Sequence, residues 1–541
     1  MNMLATFRMK TFIKISLSLL SGLLLAAAWP ARGLTALIFI ALIPIFAVED
    51  MALNGKERLF PYSTLAFLTW NVLTTWWIWN ASPAAILAFV INALLMATVL
   101  QLYHLCRKKT PTPISYVFLI TLWLSIEWLT QHWSLKWPWL NLGNAFSPHP
   151  DWIQWYEYTG TAGGTIWILL VNILIFNLVK SIIEYKSRKK VIVKAVVSAC
   201  AIAIPILNGE VIYHNYEEKG ETTEVVIVQQ NEDPWHASGN NIDRNLRLAD
   251  SLVTDNTAFV IGSELTINDN FWLDRGETKS VKRLHKFVKI HPNTAIIIGA
   301  ETFEKVPKGM ENDFAARRFS NSEGRYFTHN SALLIDSAGL QMRHKTQLVP
   351  GAESMPRWTG FLRHFAATAP FVESSLKGDT IVRNIAFREH NAAVMICYES
   401  AFGGYVARHV KQGADILFII TNDGWWGDTP GHRQHFEMAR LRAIENRRCV
   451  AQSANTGISG FINQRGDVIQ KTDYWTETTI RTTLQANNET TFYSRHGDYL
   501  YIIALFANCA MVIVLLIYIM TAGRGTAKHA NPSSCHVSDN H

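Results

Sequence analysis

Long apolar stretches divide the 541-residue chain into a membrane part and a water-soluble part. A helix needs about 20 mostly apolar residues to cross the hydrocarbon core of a bilayer. Eight stretches approach that requirement, namely 12–29, 33–48, 61–80, 83–105, 114–131, 162–183, 191–212 and 499–523. The sequence therefore predicts a polytopic α-helical membrane domain of seven helices over 1–213 and an eighth transmembrane helix over 499–523. A soluble domain over 214–498 separates them, and a polar tail over 524–541 follows.

Basic residues in the short loops alternate along the predicted membrane domain. They precede the first span at Arg8 and Lys10, and they follow the second, fourth and sixth spans, at Lys56 and Arg58, at 107–109 and at 186–190. The loops at 30–33 and 81–82 are nearly uncharged. Because loops rich in Lys and Arg favour the cytoplasmic side, both termini are expected there and the soluble domain on the opposite side.

The distribution of charge and the spacing of the histidines argue against nucleic-acid binding and metal binding. The net charge of +7 is scattered over short loops, without the basic, aromatic-rich face that nucleic acid requires. His432 and His435 stand three residues apart, but no H-E-x-x-H pattern accompanies them. We therefore expect no nucleic-acid partner, no metal and no cofactor.

Six cysteines are too few and too dispersed for a disulfide scaffold, and three of them lie in or beside apolar stretches. Of the two in the soluble region, Cys449 fits a buried small apolar residue, the commoner role of cysteine. Cys397 has different surroundings, because it ends an apolar, β-branched stretch at 392–396.

The soluble region alternates strand patterns with helical patterns, which is typical of a layered α/β domain. Its predicted helices are 239–254, 278–290, 402–412 and 432–447. Its predicted strands are 224–228, 257–261, 294–299, 331–335, 340–344, 392–396 and 415–421.

Reactive side chains follow three of these strands. Glu264 comes after 257–261, Lys345 after 340–344, and Cys397 directly after 392–396. A thiol needs a base to accept its proton, and a nearby cation favours the thiolate and the oxyanion formed after attack. Glu264 suits the base, Lys345 the cation and Cys397 the nucleophile. Glu353 suits a residue that keeps the lysine charged and oriented.

These residues, in this order, resemble the Glu-Lys-Cys triad of the nitrilase (carbon–nitrogen hydrolase) superfamily. The segments 345–353, 397–399, 421–427, 434–435, 442–445 and 455–457 are similar to further motifs of that superfamily. The resemblance implies an αββα sandwich in which Glu264, Lys345 and Cys397 are catalytic, together with Glu353. It assigns supporting roles to Tyr398 and Glu399.

A nitrilase-like domain between seven spans and one span resembles the layout of the apolipoprotein N-acyltransferase family. The resemblance implies a two-step, ping-pong reaction on the periplasmic side of a bacterial inner membrane. A phospholipid would donate an acyl chain to the cysteine as a thioester, and the N-terminal amine of a diacylglyceryl-cysteine apolipoprotein would accept it. A membrane-tethered amidase and a non-catalytic lipid or peptide sensor remain as alternatives.

Aromatic residues supply further candidates for the substrate site. Trp235 lies where the family has an aromatic lid residue, and Trp425 and Trp426 are candidates to line an acyl site. Gly262 and Ser263 stand where the family often has Trp-Pro before the base. Five tryptophans in 132–160 fit either an interfacial anchor or the frame of a lipid entrance.

Overall fold

The computed structural model describes residues 2–53, 58–83, 85–235, 242–320, 323–354 and 375–527. Helices account for most of the N-terminal part, and strands for most of the part that follows. The helices are α1 (Asn2–Ala28), α2 (Ile43–Leu53), α3 (Phe60–Thr75), α4 (Ile78–Ala81), α5 (Ala85–Arg107), α6 (Thr112–His132), α7 (Tyr156–Ile183), α8 (Arg188–Asn215), α9 (Ile242–Asp250), α10 (Lys279–Ile290), α11 (Gly403–Lys411), α12 (Pro430–Asn446), α13 (Phe492–His496) and α14 (Tyr499–Ala527). Short 3-10 turns lie at Thr35–Phe39, Leu142–Phe146, Pro150–Trp152, Cys397–Ala401 and Asp423–Trp426.

The protein is a multi-pass membrane protein by the length and apolar composition of its helices. Within the described ranges, six helices are long and apolar enough to cross a bilayer, and they are Arg8–Ala28, Thr35–Leu53, Ile86–Arg107, Thr112–His132, Tyr156–Ile183 and Arg188–Asn215. The other two predicted stretches are also helical but shorter by this measure, since α3 has 16 residues and the apolar stretch at the start of α14 is Tyr499–Val514.

One end of the helix bundle carries a cluster of ion pairs. Arg107 at the end of α5 binds Asp50 near the end of α2 at 2.7 Å and also contacts Glu49. Lys180 near the end of α7 binds the same Asp50 at 2.8 Å. The C-terminal ends of these three helices therefore lie together, at the end of the bundle that carries the basic loops after α5 and α7.

Two sheets form the soluble domain. The strands are β1 (Glu221–Gln229), β2 (Thr257–Ile261), β3 (Ile267–Trp272), β4 (Ala295–Lys305), β5 (Arg317–Arg318), β6 (Arg325–Ile335), β7 (Leu340–His344), β8 (Ile385–Phe387), β9 (His390–Ile396), β10 (Ile416–Thr421), β11 (Val450–Ala454), β12 (Gly460–Ile462), β13 (Val468–Lys471) and β14 (Thr478–Ala486). The first sheet has the order β14-β1-β2-β4-β6-β5, with β3 on β4 and β7 on β6. The second has the order β13-β12-β11-β10-β9-β8, and its central strands β9, β10 and β11 are parallel.

Apolar side chains from both sheets pack face to face. Ile227, Phe259 and Ile297 of the first sheet share one cluster with Val394 and Phe418 of the second. The other face of the first sheet is covered by α9 and α10, and the other face of the second by α11 and α12. This αββα arrangement confirms the predicted nitrilase-like fold.

Most predicted elements of this domain are present, and β2 and β7 have the predicted bounds. The stretches 300–330 and 350–380 are long in the sequence, and their length suggests loops that cover the site. For 300–330 this expectation was wrong. Strands β4 and β6 continue into this range and pair from Ile296 with Ile335 to Lys305 with Tyr326. Most of the second proposed cover, residues 355–374, and the end of the predicted tail, 528–541, lie outside the described residues.

The soluble domain packs on the end of the helix bundle opposite the ion-pair cluster. The apolar cluster behind the second sheet continues into the membrane helices without a break. The indole of Trp139 donates to Gln434 on α12 at 2.8 Å, and the amide of Asn80 donates to the Trp426 carbonyl at 2.8 Å. The tryptophan-rich segment 133–155 therefore helps to hold the two parts of the molecule together.

Candidate active site

The ends of β2, β7 and β9 bring the three sequence-predicted residues to one place. Glu264 follows β2 of the first sheet, Lys345 follows β7 of the same sheet, and Cys397 follows β9 of the second. The Lys345 ammonium binds the Glu264 carboxylate, and Glu399, two residues after Cys397, accepts from the backbone N–H of Thr346, the residue after Lys345. Facing strand ends of the two sheets therefore form one site.

Lys345 is buried between two carboxylates. Its Nζ lies 3.1 Å from Oε1 of Glu264 and 2.8 Å from Oε1 of Glu353, and its side chain is 1% exposed. Burial acts to lower the pKa of Lys345, but the negative charges of Glu264 and Glu353 outweigh it and raise the pKa well above its usual value. The lysine therefore stays a cation.

Two asparagines donate hydrogen bonds to the carboxylates beside Lys345, and the sequence analysis assigned a role to neither. The amide of Asn330 on β6 donates to Oε1 of Glu264 at 2.7 Å and to Oε1 of Glu353 at 3.2 Å. The backbone N–H of Asn422, just after β10, donates to Oε2 of Glu264 at 3.0 Å. A signal for Asn422 was present, because it directly follows the predicted strand 415–421.

The protonation states of Cys397 and Glu264 suit the transfer of a proton from the thiol to the carboxylate. Burial, and then the Glu264 carboxylate, raise the pKa of the Cys397 thiol well above its usual value, so the resting sulfur is a neutral thiol. Burial also raises the pKa of Glu264, although Lys345 opposes this. A carboxylate with a raised pKa is a stronger base, and it can remove the thiol proton as the sulfur attacks.

The backbone at Cys397 is held in an unusual conformation. Its φ is +51°, in the left-handed region that residues with a side chain rarely adopt. Its carbonyl accepts a hydrogen bond from the Ser400 hydroxyl at 2.9 Å, and His435 Nε2 lies 2.8 Å from that hydroxyl oxygen. His435 Nδ1 lies 3.0 Å from Asp423. This buried chain of contacts fixes the turn that presents the sulfur.

His435 is a structural partner of this turn. Burial acts to lower its pKa, but Asp423 outweighs this and raises it. The His432 ring instead stacks on Tyr474, with the ring centroids 4.4 Å apart. Within the described ranges, no group of His, Cys, Asp and Glu side chains has an arrangement that could hold a metal ion.

Glu399 is a buried structural carboxylate two residues after Cys397. It forms a bidentate pair with Arg343, with both N–O distances 2.7 Å, and it accepts from the backbone N–H of Ile396 at 2.8 Å and of Thr346 at 2.7 Å. Burial acts to raise its pKa, but Arg343 outweighs this and lowers the pKa to about 2. Glu399 thus joins the strand end that carries Lys345 to the one that carries Cys397.

Tyr398 and the candidate tryptophans occupy three different surroundings. The Tyr398 hydroxyl donates to the Lys136 carbonyl of the membrane domain at 2.8 Å. Trp235 is 43% exposed and contacts Trp425 edge-on, with ring centroids 4.9 Å apart. Trp426 instead packs against Trp77 of the membrane domain at 4.5 Å. Trp235, which is exposed, and Trp425, which is half-buried, therefore form one aromatic pair, and Trp426 belongs to the contact between the two domains.

A glycine explains how the base is placed without a Trp-Pro sequence before it. A Cβ at Gly299 of β4 would lie 2.5 Å from the Leu265 nitrogen and 2.6 Å from the Glu264 Cα. Ser263 is buried, and its hydroxyl lies 3.0 Å from that of Thr266. Close packing on Gly299 and this short polar turn position Glu264.

The soluble domain is a carbon–nitrogen hydrolase domain, since the family model of that description matches residues 258–492. A second model, described as the apolipoprotein N-acyltransferase N-terminal domain, matches residues 21–174. The two models together take in more than two thirds of the chain, and the chain belongs to the apolipoprotein N-acyltransferase family.

Full-length relatives agree with this membership. The chain is 28% identical to an apolipoprotein N-acyltransferase of Chlorobaculum tepidum, over 89% of this chain and 92% of the relative. It is 23% identical to one of Geobacter metallireducens, over 92% and 94%. The crystal structure of Saccharomyces cerevisiae Nit3, a nitrilase superfamily member, matches at 15% identity with a TM-score of 0.35, over 49% of this chain and 90% of that one.

Proposed function

We propose that the protein transfers an acyl chain from a membrane phospholipid, through a thioester on Cys397, to the N-terminal amine of a diacylglyceryl-cysteine apolipoprotein. The observation that carries this proposal is a thiol beside a buried lysine held by two carboxylates, in a domain packed on membrane helices. Family membership supports lipoprotein N-acylation as the overall reaction.

The first step forms the thioester. Glu264 accepts the thiol proton while the sulfur of Cys397 attacks the ester carbonyl carbon of the phospholipid. The negative oxygen of the tetrahedral intermediate is stabilised by the Lys345 ammonium and by the backbone N–H of Tyr398. The carbon–oxygen bond of the ester then breaks, and the leaving lysophospholipid oxygen takes the proton from Glu264.

The second step transfers the acyl chain to nitrogen. The α-amine of the acceptor, in its neutral form, attacks the thioester carbonyl, and Glu264 accepts one amine proton. The carbon–sulfur bond breaks, the thiolate takes that proton, and an amide is released. One base and one cation thus serve both steps, because each step passes through the same kind of oxyanion.

The orientation in the membrane follows from the charges on the helix bundle. The basic loops at 107–109 and 186–190 come from the end of the bundle that carries Asp50, opposite the catalytic domain. Positively charged loops favour the cytoplasmic side. This arrangement supports a bacterial inner-membrane protein with a periplasmic catalytic domain and cytoplasmic termini.

The intact mass of the detergent-solubilised protein after incubation with phospholipid tests the proposal. The wild type should gain one fatty acyl group, and Cys397→Ala should gain none. Cys200→Ser, which changes an exposed cysteine of α8, is the matched control and should acquire the adduct normally. A diacylglyceryl-cysteine peptide should then remove the adduct and gain the acyl mass.

Two results would contradict this function. Absence of the adduct on folded wild-type protein would exclude the thioester step. Loss of the adduct to water at the same rate with and without the peptide would indicate a hydrolase, as expected of the membrane-tethered amidase.

A further inference from the structure

A basic cleft lies between the catalytic domain and the membrane helices. Its volume is about 430 Å³. The cations that line it come from three segments of the chain, and they are Lys136, Arg408, Lys411 and Arg495. Phe402 and Tyr405 also line it. We use the name basic cleft for this site.

The basic cleft opens at the level where two helices leave the membrane. His132, the last residue of α6, lines it, and so does Asp498, the residue before α14. The helix Thr112–His132 is long and apolar enough to cross the bilayer. A phospholipid places its phosphate at this depth, just outside the hydrocarbon core.

The lining of the basic cleft carries an excess of positive charge, with four basic side chains against one carboxylate. The Lys136 ammonium donates to the neutral side chain of Gln347 at 2.6 Å, and the Arg495 guanidinium donates to the Thr490 hydroxyl at 3.1 Å. The one acidic residue of the lining, Asp498, is engaged by the Tyr493 hydroxyl, which donates to it at 2.6 Å. Burial, and then the positive charge of Arg408, lower the pKa of Lys136, although Glu399 opposes this.

We propose that the basic cleft binds the phosphate of a phospholipid with a net negative headgroup, as a lipid site separate from the acyl-transfer site. The four cations surround the phosphate, and the acyl chains of the lipid run along α6 and α14 into the bilayer. This binding does not depend on the acyl-transfer reaction, so the two proposals can fail independently.

Lys136 connects the basic cleft with the active site. Its Nζ donates to Oε1 of Gln347 at 2.6 Å, and Gln347 lies two residues after Lys345. Its carbonyl accepts from the hydroxyl of Tyr398, the residue after the nucleophile. A lipid phosphate that binds Lys136 therefore contacts a residue that is itself hydrogen-bonded to the segments following Lys345 and Cys397.

Lipid retention by the full-length protein tests the proposal. The protein is placed in nanodiscs made of equal parts of phosphatidylcholine and phosphatidylglycerol, released into detergent, and examined by native mass spectrometry. The test variant is Arg408→Gln with Lys411→Gln, because both side chains are exposed and their loss spares the core. The matched control is Lys286→Gln with Lys289→Gln, two exposed lysines on the outer helix α10.

The wild type and the control should retain one phosphatidylglycerol, and the test variant should lose about tenfold or more of that retention. Higher salt should weaken retention in the wild type, since exposed charges are screened. Equal retention of both lipids by the wild type, or unchanged retention by the test variant, would overturn the proposal. So would equally tight binding of glycerol phosphate without acyl chains, which would show a site for free phosphate.

Discussion

Replacing Glu399 with glutamine isolates the contribution of one buried ion pair to the stability of the catalytic domain. The carboxylate is fully buried, and its two oxygens accept hydrogen bonds from Arg343 and from the backbone at Thr346 and Ile396. Glutamine has nearly the same shape, but it carries no charge and one of its two oxygens becomes an NH₂ donor. Glu399→Gln therefore leaves the Arg343 cation buried without its counter-charge.

The loss of stability expected for Glu399→Gln is obtained in two ways, from the pKa of Glu399 and from the general cost of removing one partner of a buried ion pair. A carboxyl pKa of about 2 against the ordinary value of 4.5 corresponds to about 3 kcal/mol of folding free energy. Removing one partner of a buried ion pair costs about 3–5 kcal/mol in general. The two figures agree, and for a domain of this size about 3 kcal/mol lowers the unfolding temperature by about 6 °C.

The assay is tryptophan fluorescence during heating of the detergent-solubilised protein at several pH values. Because the folded pKa of Glu399 is depressed, its contribution is complete above pH 4.5 and is lost as the pH falls toward 2. The difference in unfolding temperature between wild type and Glu399→Gln should therefore be constant at neutral pH and narrow over that acidic range.

Glu217→Gln is the matched control, since Glu217 is an exposed glutamate in the connection before the first strand of the domain. It should unfold within about 1 °C of the wild type, as surface substitutions usually do. If Glu399→Gln also unfolded within about 1 °C of the wild type at neutral pH, the stabilising role assigned to the buried pair would be refuted.

Three further predictions concern the acyl-thioester site. Glu353→Gln removes a negative charge that helps to raise the pKa of Glu264, so the acidic limb of the pH–rate profile for thioester formation should move to lower pH. Gly299→Ala forces the backbone at Glu264 to shift, and it should slow thioester formation by about 100-fold in a protein that still folds, as judged by its unfolding temperature. Asn330→Ala removes the donor shared by the two carboxylates and should slow the same step by about 10-fold or more; an unchanged rate in single-turnover mass spectrometry would show that Asn330 is dispensable.

The local pattern of the sequence was sufficient to predict the elements that depend on it. Apolar length predicted the membrane helices, because a segment in lipid must satisfy its own backbone hydrogen bonds whatever surrounds it. The buried strands β2 and β7 were predicted with their bounds, and short apolar stretches ending in Glu264, Lys345 and Cys397 predicted which strand ends would carry reactive groups.

Only the tertiary structure decided which side chains meet. Asn330 lies in the middle of a long strand pairing and looks unremarkable in the sequence, yet the register of β6 places its amide between two carboxylates. Tyr398 and Glu399 follow Cys397 in the sequence, but the turn at Cys397 directs Glu399 into an ion pair with Arg343 and Tyr398 to the membrane domain. The basic cleft takes its cations from three segments far apart in the chain. Contacts of this kind depend on how the sheets and helices pack, which local sequence patterns do not encode.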